Sequence, residues 1–162
     1  MQLTFYSDYS LRILMYLALR RPERVRVSEI AKRFDISLNH LLKVVPNLAQ
    51  AGFITSHRGK RGGIELARSP EEINIGELVR YTEGPLRLVE CFDPAKNRCV
   101  ISLACGLAPI LQEACDSFLA TLDRYTLADL IAKRARLIRL LSIRNGLASA
   151  SNSRQRSRQA SG

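Results

Sequence analysis

No stretch of this 162-residue sequence reaches the roughly 18 apolar residues that a helix needs to cross a bilayer. The opening, MQLTFYSDYSLRILMYLALRR, is only moderately apolar: Asp8 and Arg12 interrupt it, its basic residues follow the apolar run, and a small-residue cleavage site is missing. A soluble cytoplasmic protein without a membrane partner is the expectation. In that compartment thiols stay reduced, so clustered cysteines serve as metal ligands or redox groups more readily than as disulfides. Histidine is scarce, with His40 and His57 alone. No Ser/His/Asp constellation, phosphate-binding loop or second cysteine cluster occurs, and no enzymatic function is expected. Acid is missing from one end: residues 133–162 hold 8 Lys/Arg and no Asp or Glu.

What the chain does contain is charge in blocks. Residues 1–68 carry 12 Lys/Arg against 5 Asp/Glu, and residues 69–132 carry 5 against 10, within a net charge of +10. A basic amino-terminal unit is the electrostatic footprint of a nucleic-acid binder, because neutralised phosphates release counterions. A merely solvated basic surface is the plainer alternative. Apolar residues make up 46% of the chain, enough for one core, as one compact domain or two small units sharing a helix.

Periodicity orders the elements. SDYSLRILMYLALRR puts Leu11, Leu14, Met15 and Ala18 at helical spacing, with Ser7 or Asp8 available as a cap. VSEIAKRFDIS predicts a second helix with Ser28 as N-cap, Ile30, Ala31 and Phe34 inward, and a stop near Asp35. A third helix starts from Ser37, with Leu41, Leu42, Val45, Leu48 and Ala49 as its apolar stripe, Gly52 at its end, and Pro46 bending it rather than breaking it. Two short helices joined by a tight turn suggest a helix-turn-helix, whose second helix enters the major groove amino end first. Ser28, Ser37, Asn39, His40 and Lys43 are the candidate DNA contacts on these helices. FITSHRGKRGGIELA then predicts two β runs, Phe53 to His57 and Ile64 to Ala67, around a Gly-rich turn. Such a hairpin is the wing of a winged helix, and Arg58, Lys60 and Arg61 at its tip are placed to reach phosphates or a minor groove.

Past Pro70, NIGELVRYTEG predicts a short helix with Ile75, Leu78 and Val79 inward. A long helix is expected from about Leu103, with Leu107, Leu111, Ala114, Phe118 and Leu122 in one stripe that needs a partner, either the amino-terminal unit or a second copy of the chain. Symmetric operators need two heads, so a homodimer is expected. The fold class is thus mainly α with a small β wing. It divides into a DNA-binding unit (1–68), a connecting helix with a cysteine loop (69–106), a dimerisation helix with a C-terminal helix (107–144), and a Ser/Arg-rich tail (145–162) expected to be disordered.

Three of the four cysteines fall within ECFDPAKNRCVISLACGL, as Cys91, Cys99 and Cys105. Asp93, Pro94 and Asn97 between the first two let the backbone fold round a small object, and three soft thiolates suit zinc or an iron-sulfur cluster. A fourth ligand is missing nearby, which disfavours a tidy local zinc site and leaves open a cluster completed by a distant residue or another chain. Cys115 sits beside Leu111 and Phe118 on the long helix, where cysteine acts as a small hydrophobe.

The order of helix-turn-helix, RGKRGGIELA wing, INIGELVR helix, three-cysteine loop and long helix resembles the Rrf2 family of bacterial transcription regulators over roughly residues 1–140. The segments MQLTFYSDYSLRILMYLA, SLNHLLKVV, VECF…NRCVISLACGL and SFLATLDRYTLADL are most similar to its nitric-oxide-sensing repressors. The resemblance implies an iron-sulfur cluster on Cys91, Cys99 and Cys105, one per subunit, as 2Fe-2S or 4Fe-4S, a homodimer assembled through the long helix, and repression of genes for nitric oxide detoxification and nitrosative stress. It also offers Asp8, from the other subunit, as fourth ligand, although an acid in a first helical turn favours the helix dipole without any metal. A relative that regulates iron-sulfur assembly carries a histidine ligand soon after its third cysteine; here Ala108 stands three residues after Cys105. Another iron-sulfur regulator of the family, or a zinc-stabilised DNA-binding module, is the alternative.

Overall fold

Helix α1, Phe5–Arg20, forms the axis of the fold. Ile13, Leu14 and Tyr16 on it are fully buried, and Leu17, Ala18 and Leu19 nearly so. It is packed on several sides because α2 (Val27–Phe34), α3 (Leu38–Gln50), α4 (Ile75–Glu83), α6 (Leu127–Leu130) and strand β2 (Gly63–Leu66) all lean on it. Each fully buried Leu or Ile contributes about 1.5–3 kcal/mol against leaving it in water, and Ile30, Leu41, Leu48, Ile73, Leu78 and Leu127 from the surrounding elements are buried as completely. The structure is a computed structural model that describes residues 2–60 and 62–143. Arg61 and the tail 145–162 lie outside the described residues.

The elements follow the expected order, with corrections at their ends. Neither Ser7 nor Asp8 caps α1: Thr4 does, accepting from the Ser7 backbone N–H at 3.3 Å. The Ser7 hydroxyl is buried instead against Thr82 at 2.6 Å and donates to Glu83. Ser28 does not cap α2, which starts at Val27 after Arg26. Val25 forms an antiparallel bridge with Ile64 (N···O 3.0 and 2.8 Å), and this pairing sets the chain so that the helix begins before Ser28 is reached. Asp35 ends α2 in the left-handed region, φ 52°. Helix α3 runs unbroken through Pro46, burying Leu41, Val44, Val45 and Leu48. Leu42, expected inward, is 49% exposed, because it lies round the helix from that stripe on the side of Asn39.

Strands β1 (Ile54–His57) and β2 pair antiparallel, Ile54 opposite Leu66 and His57 opposite Gly63. The turn needs its glycines: a Cβ on Gly62 would stand 2.5 Å from the His57 carbonyl oxygen, and one on Gly63 2.8 Å from that of Val25.

Helix α5, Leu107–Leu122, begins four residues later than expected, since residues 99–104 are occupied by short turns (Ser102 N–H to Cys99 O, Ala104 N–H to Ile101 O). Its C-terminal end is fixed to α4. Arg80 grips Asp123 through two bonds of 2.6 and 2.5 Å, and the Asn74 side chain donates to the Asp123 carbonyl at 2.7 Å. The fit is close enough that a Cβ on Gly76 would meet the Asp123 carboxylate at 1.9 Å. Of α5 only Cys115 is buried; Leu111, Phe118 and Leu122 of the expected stripe are half-buried, while Ala114 and Leu107 are exposed. Residues 2–132 form one compact unit, and a second begins at Lys133 with helix α7, Arg134–Leu140.

Candidate metal centre and nucleic-acid interface

The cysteine loop begins where Gly84 ends α4 with φ 64°. A single 3-10 turn, Glu90–Phe92, carries Cys91. Asp93 organises the chain immediately after it: its buried carboxylate accepts from Arg87 and from the Ala95 N–H, and its carbonyl accepts from Lys96 and Asn97 at 3.0 and 2.9 Å. The Asn97 side chain then accepts from the Cys99 N–H at 3.0 Å, and Glu90 accepts from the Arg98 N–H. The loop is therefore held by its own side chains, which is why Asp93 and Asn97 matter for the placement of the thiols.

These turns bring Cys91, Cys99 and Cys105, all free and half-buried, onto the wall of one hollow of about 250 Å³. Val89, Ile101, Leu107 and Leu111 supply most of the rest, so the thiols face an apolar space. Among the described residues no three His, Cys, Asp or Glu side chains stand close enough together to hold a metal ion as they are. The donor set is thus three soft thiols on a common wall, suited to a thiolate-bound metal or cluster, with the Glu90 carboxylate also on the lining. Ala108 also lines the hollow. Asp8 does not: it lies in the first turn of α1, bridged to Arg12 at 2.8 Å. Cys115 is apart from the hollow and packed at 3% exposure on α5.

On the other candidate surface, Ser37 precedes the first turn of α3, and Asn39, His40 and Lys43 are exposed along its amino-terminal half. Ser28 is exposed on α2, and Arg58 and Lys60 at the wing. Four features escaped the sequence. The His40 ring stacks on Tyr9 at 6.1 Å, and Tyr9 on Phe5 at 5.9 Å, so an aromatic row joins α1 to α3; the i, i+4 spacing of Phe5 and Tyr9 was its only trace. Arg24 and Arg26 flank the wing, Arg26 donating to the Lys60 carbonyl at 3.5 Å and Arg24 facing Glu65 at 3.5 Å. Glu65 also meets His57 at 2.6 Å, placing an acid across the strands beneath the basic turn. Leu42 adds an exposed apolar side chain to the face of α3 that carries Asn39.

The model of the Rrf2 family, described as iron-dependent transcriptional regulators, matches residues 3–133. The chain is 50% identical over 145 residues to the HTH-type transcriptional regulator NsrR of Bacillus subtilis (strain 168), a match covering 89% of this chain and 99% of that one. Among solved structures it is similar to IscR of T. potens, with 25% identity and a TM-score of 0.65 over 82% of this chain and 88% of that one. A second is CymR, the global cysteine regulator of B. subtilis, with 28% identity and a TM-score of 0.62 over 82% and 98%. No described helix is long and apolar enough to cross a membrane.

Proposed function

The chain belongs to the Rrf2 family of iron-dependent transcriptional regulators, and from that premise we propose that it is a homodimeric repressor of the NsrR type that reads nitric oxide through one iron-sulfur cluster per subunit. The genes under its control are those that detoxify nitric oxide or answer nitrosative stress. The observation that carries this reading is the convergence of Cys91, Cys99 and Cys105 on one apolar hollow in a chain half identical to NsrR of B. subtilis. Bound there, the cluster supplies iron that reacts with nitric oxide. The three thiolates hold it and the apolar wall limits water, while Asp8 of the partner subunit completes the ligand set. Within its own chain Asp8 is held only by an ion pair about two-fifths exposed on each side, of a kind worth roughly 0–1 kcal/mol, so recruiting it costs little.

Residues 107–144 supply the dimer contact in this reading. Leu107 and Ile110 are 56% and 62% exposed, and Ile101 and Leu103 just before them are exposed too, an apolar run that a second copy covers. Residues 1–68 are the DNA head. Asn39, His40 and Lys43 face base edges with Leu42 available to a thymine methyl, Ser28 and Ser37 reach phosphates, and Arg58, Lys60 and Arg61 follow the backbone beside the wing.

The test is anaerobic purification, an absorption spectrum with iron and sulfide assays, and titration of the cluster form with nitric oxide on a duplex selected from a random library. Iron and sulfide in the protein and release of the duplex by nitric oxide are expected. Colourless zinc-loaded protein with full DNA affinity, or cluster protein that stays bound under nitric oxide, refutes the reading.

A further inference from the structure

Besides its three cysteines, the hollow that gathers the thiols has one lining side chain among the described residues with a donor atom, and that is Glu90. The others are hydrocarbon. Glu90 adjoins Cys91 on the 3-10 turn Glu90–Phe92, and its Oε1 accepts from the backbone N–H of Arg98, the residue before Cys99. The carboxylate thus stands where two of the thiol-bearing turns meet. A metal has to draw the thiols closer than they stand here, and Glu90 already ties the first of these turns to the second.

The two oxygens of this carboxylate are differently placed. Oε1 is taken by Arg98, whereas Oε2 makes no hydrogen bond or ion pair among the described residues. Ligating carboxylates are commonly held in this way, one oxygen fixed by a hydrogen bond while the other meets the metal. The neighbouring acid in the loop is spent differently: Asp93 is buried with Oδ2 on Arg87 and Oδ1 on the Ala95 N–H. Zinc and iron both accept carboxylate oxygen among their ligands, and the harder oxygen beside three thiolates is the one most readily exchanged.

We propose that Glu90 is a fourth ligand held within the same chain, taking the position at the three-thiolate site when Asp8 of the partner subunit leaves it. This rests on the three-cysteine site proposed above. The exchange replaces one carboxylate with another of equal charge: the bond from the Asp8 oxygen of the partner subunit to iron breaks, the bond from Glu90 Oε2 forms, and no electron or proton moves. The tie between subunits is then undone while the site keeps its ligand count.

The test uses cobalt(II) as the probe, added without oxygen to the metal-free full chain, because its visible bands report the number and kind of its ligands. Asp8→Ala removes the oxygen that would come from the partner. D8A should bind cobalt as a four-coordinate site, whereas D8A/E90Q, whose amide still accepts from the Arg98 N–H, should bind at least about tenfold more weakly and with altered bands. D8A/E90C should restore the affinity and strengthen the sulfur-to-cobalt charge-transfer band, which a residue that only braces the loop would not do. In the cluster-loaded protein D8A should keep its visible absorption, and D8A/E90Q should lose iron to a chelator faster. Equal cobalt affinity and bands in D8A and D8A/E90Q overturn the inference. If D8A/E90Q melts below D8A without metal, the cysteine variant decides: no gain in charge-transfer intensity overturns it. D8A/C99A separates this inference from the reading it rests on. Bands lost in D8A/C99A but unchanged in D8A/E90Q sink Glu90 alone, and bands intact in both sink the three-cysteine site with it.

Discussion

Replacing Glu83 with alanine is expected to destabilise the protein by about 2 kcal/mol through the far end of another helix. Glu83 is the last residue of α4, yet its carboxylate sits at the start of α1. It accepts from the Thr4 N–H at 2.8 Å, from the Thr4 hydroxyl at 3.0 Å and from Ser7. A negative charge at a helix N-terminus contributes about 0.3–1 kcal/mol. Hydrogen bonds to a charged acceptor add roughly 1.5–3 kcal/mol when buried; the two from Thr4 are exposed and count for less, so most of this portion comes from Ser7, whose side is buried. Ser7 keeps Thr82 as a second partner at 2.6 Å, so the substitution does not leave an orphaned hydroxyl, and the sum stays near 2 kcal/mol. For a chain of this length that is a fall of about 4–8 °C in Tm, read by circular dichroism. Glu83→Gln keeps an acceptor without the charge and should lose about half as much. A melting point within about 1 °C of the natural chain for Glu83→Ala, or a larger loss for Gln than for Ala, refutes this role of the carboxylate.

Other substitutions separate the roles of individual groups. Alanine at Cys91, Cys99 or Cys105 should abolish the visible absorption and weaken operator binding, whereas Cys115→Ala should keep both at a cost of about 1 kcal/mol for a small buried side chain; an intact spectrum after Cys99→Ala contradicts the ligand set. Arg58→Gln and Lys60→Gln should each reduce the salt slope of DNA binding by about 0.9, and an unchanged slope removes the wing from the contact. Acid should weaken the carboxyl half of the main unit first. The bond from Arg80 holds the Asp123 carboxyl below its ordinary 3.8, and cap bonds from Thr126 and Ser69 hold Asp129 and Glu72 below 3.8 and 4.5. Depressed folded values mean stability present above those numbers and lost as pH falls through them. In the cluster-free chain Asp123→Asn with Asp129→Asn and Glu72→Gln should therefore flatten the decline of Tm below about pH 5, and an unaltered acid profile counts against the assignment.

The order of elements was legible because each carries a local signal. A 3.6-residue stripe marks α1 to α5, and the Gly-rich turn between two β runs marks the wing. Helix starts were less legible, since they are decided at long range. Thr4 rather than Ser7 caps α1 because α4 delivers Glu83 and Thr82 to that end. Likewise α2 starts at Val27 because Val25 is paired with Ile64, some forty positions away. Of the candidate site, the spacing of the three thiols could be read directly, whereas the turns that gather the thiols depend on Asp93 and Asn97 side chains meeting their own backbone, and the Glu90 carboxylate on the same hollow was not foreseen. The aromatic row from Phe5 through Tyr9 to His40 crosses between helices and has no sequence period of its own.

That row bears on how a ligand at one place is felt at another. Asp8 lies between Phe5 and Tyr9 in the first turns of α1, the helix against which both α3 and β2 of the wing pack. The same end of α1 is gripped by Glu83, one residue before the chain turns into the cysteine loop. In the proposed dimer, a partner's pull on Asp8 would act on a helix joined to α3 by the Tyr9–His40 stack and to the start of the cysteine loop by the Glu83 clamp. Release of Asp8 in that dimer would act on α1 and reach α3 through the core the two helices share. Tyr9→Ala separates this from a purely electrostatic account: it should leave cluster content unchanged and shrink the difference in DNA affinity between the cluster and cluster-free forms, whereas an undiminished difference shows that α1 does not carry the signal to α3.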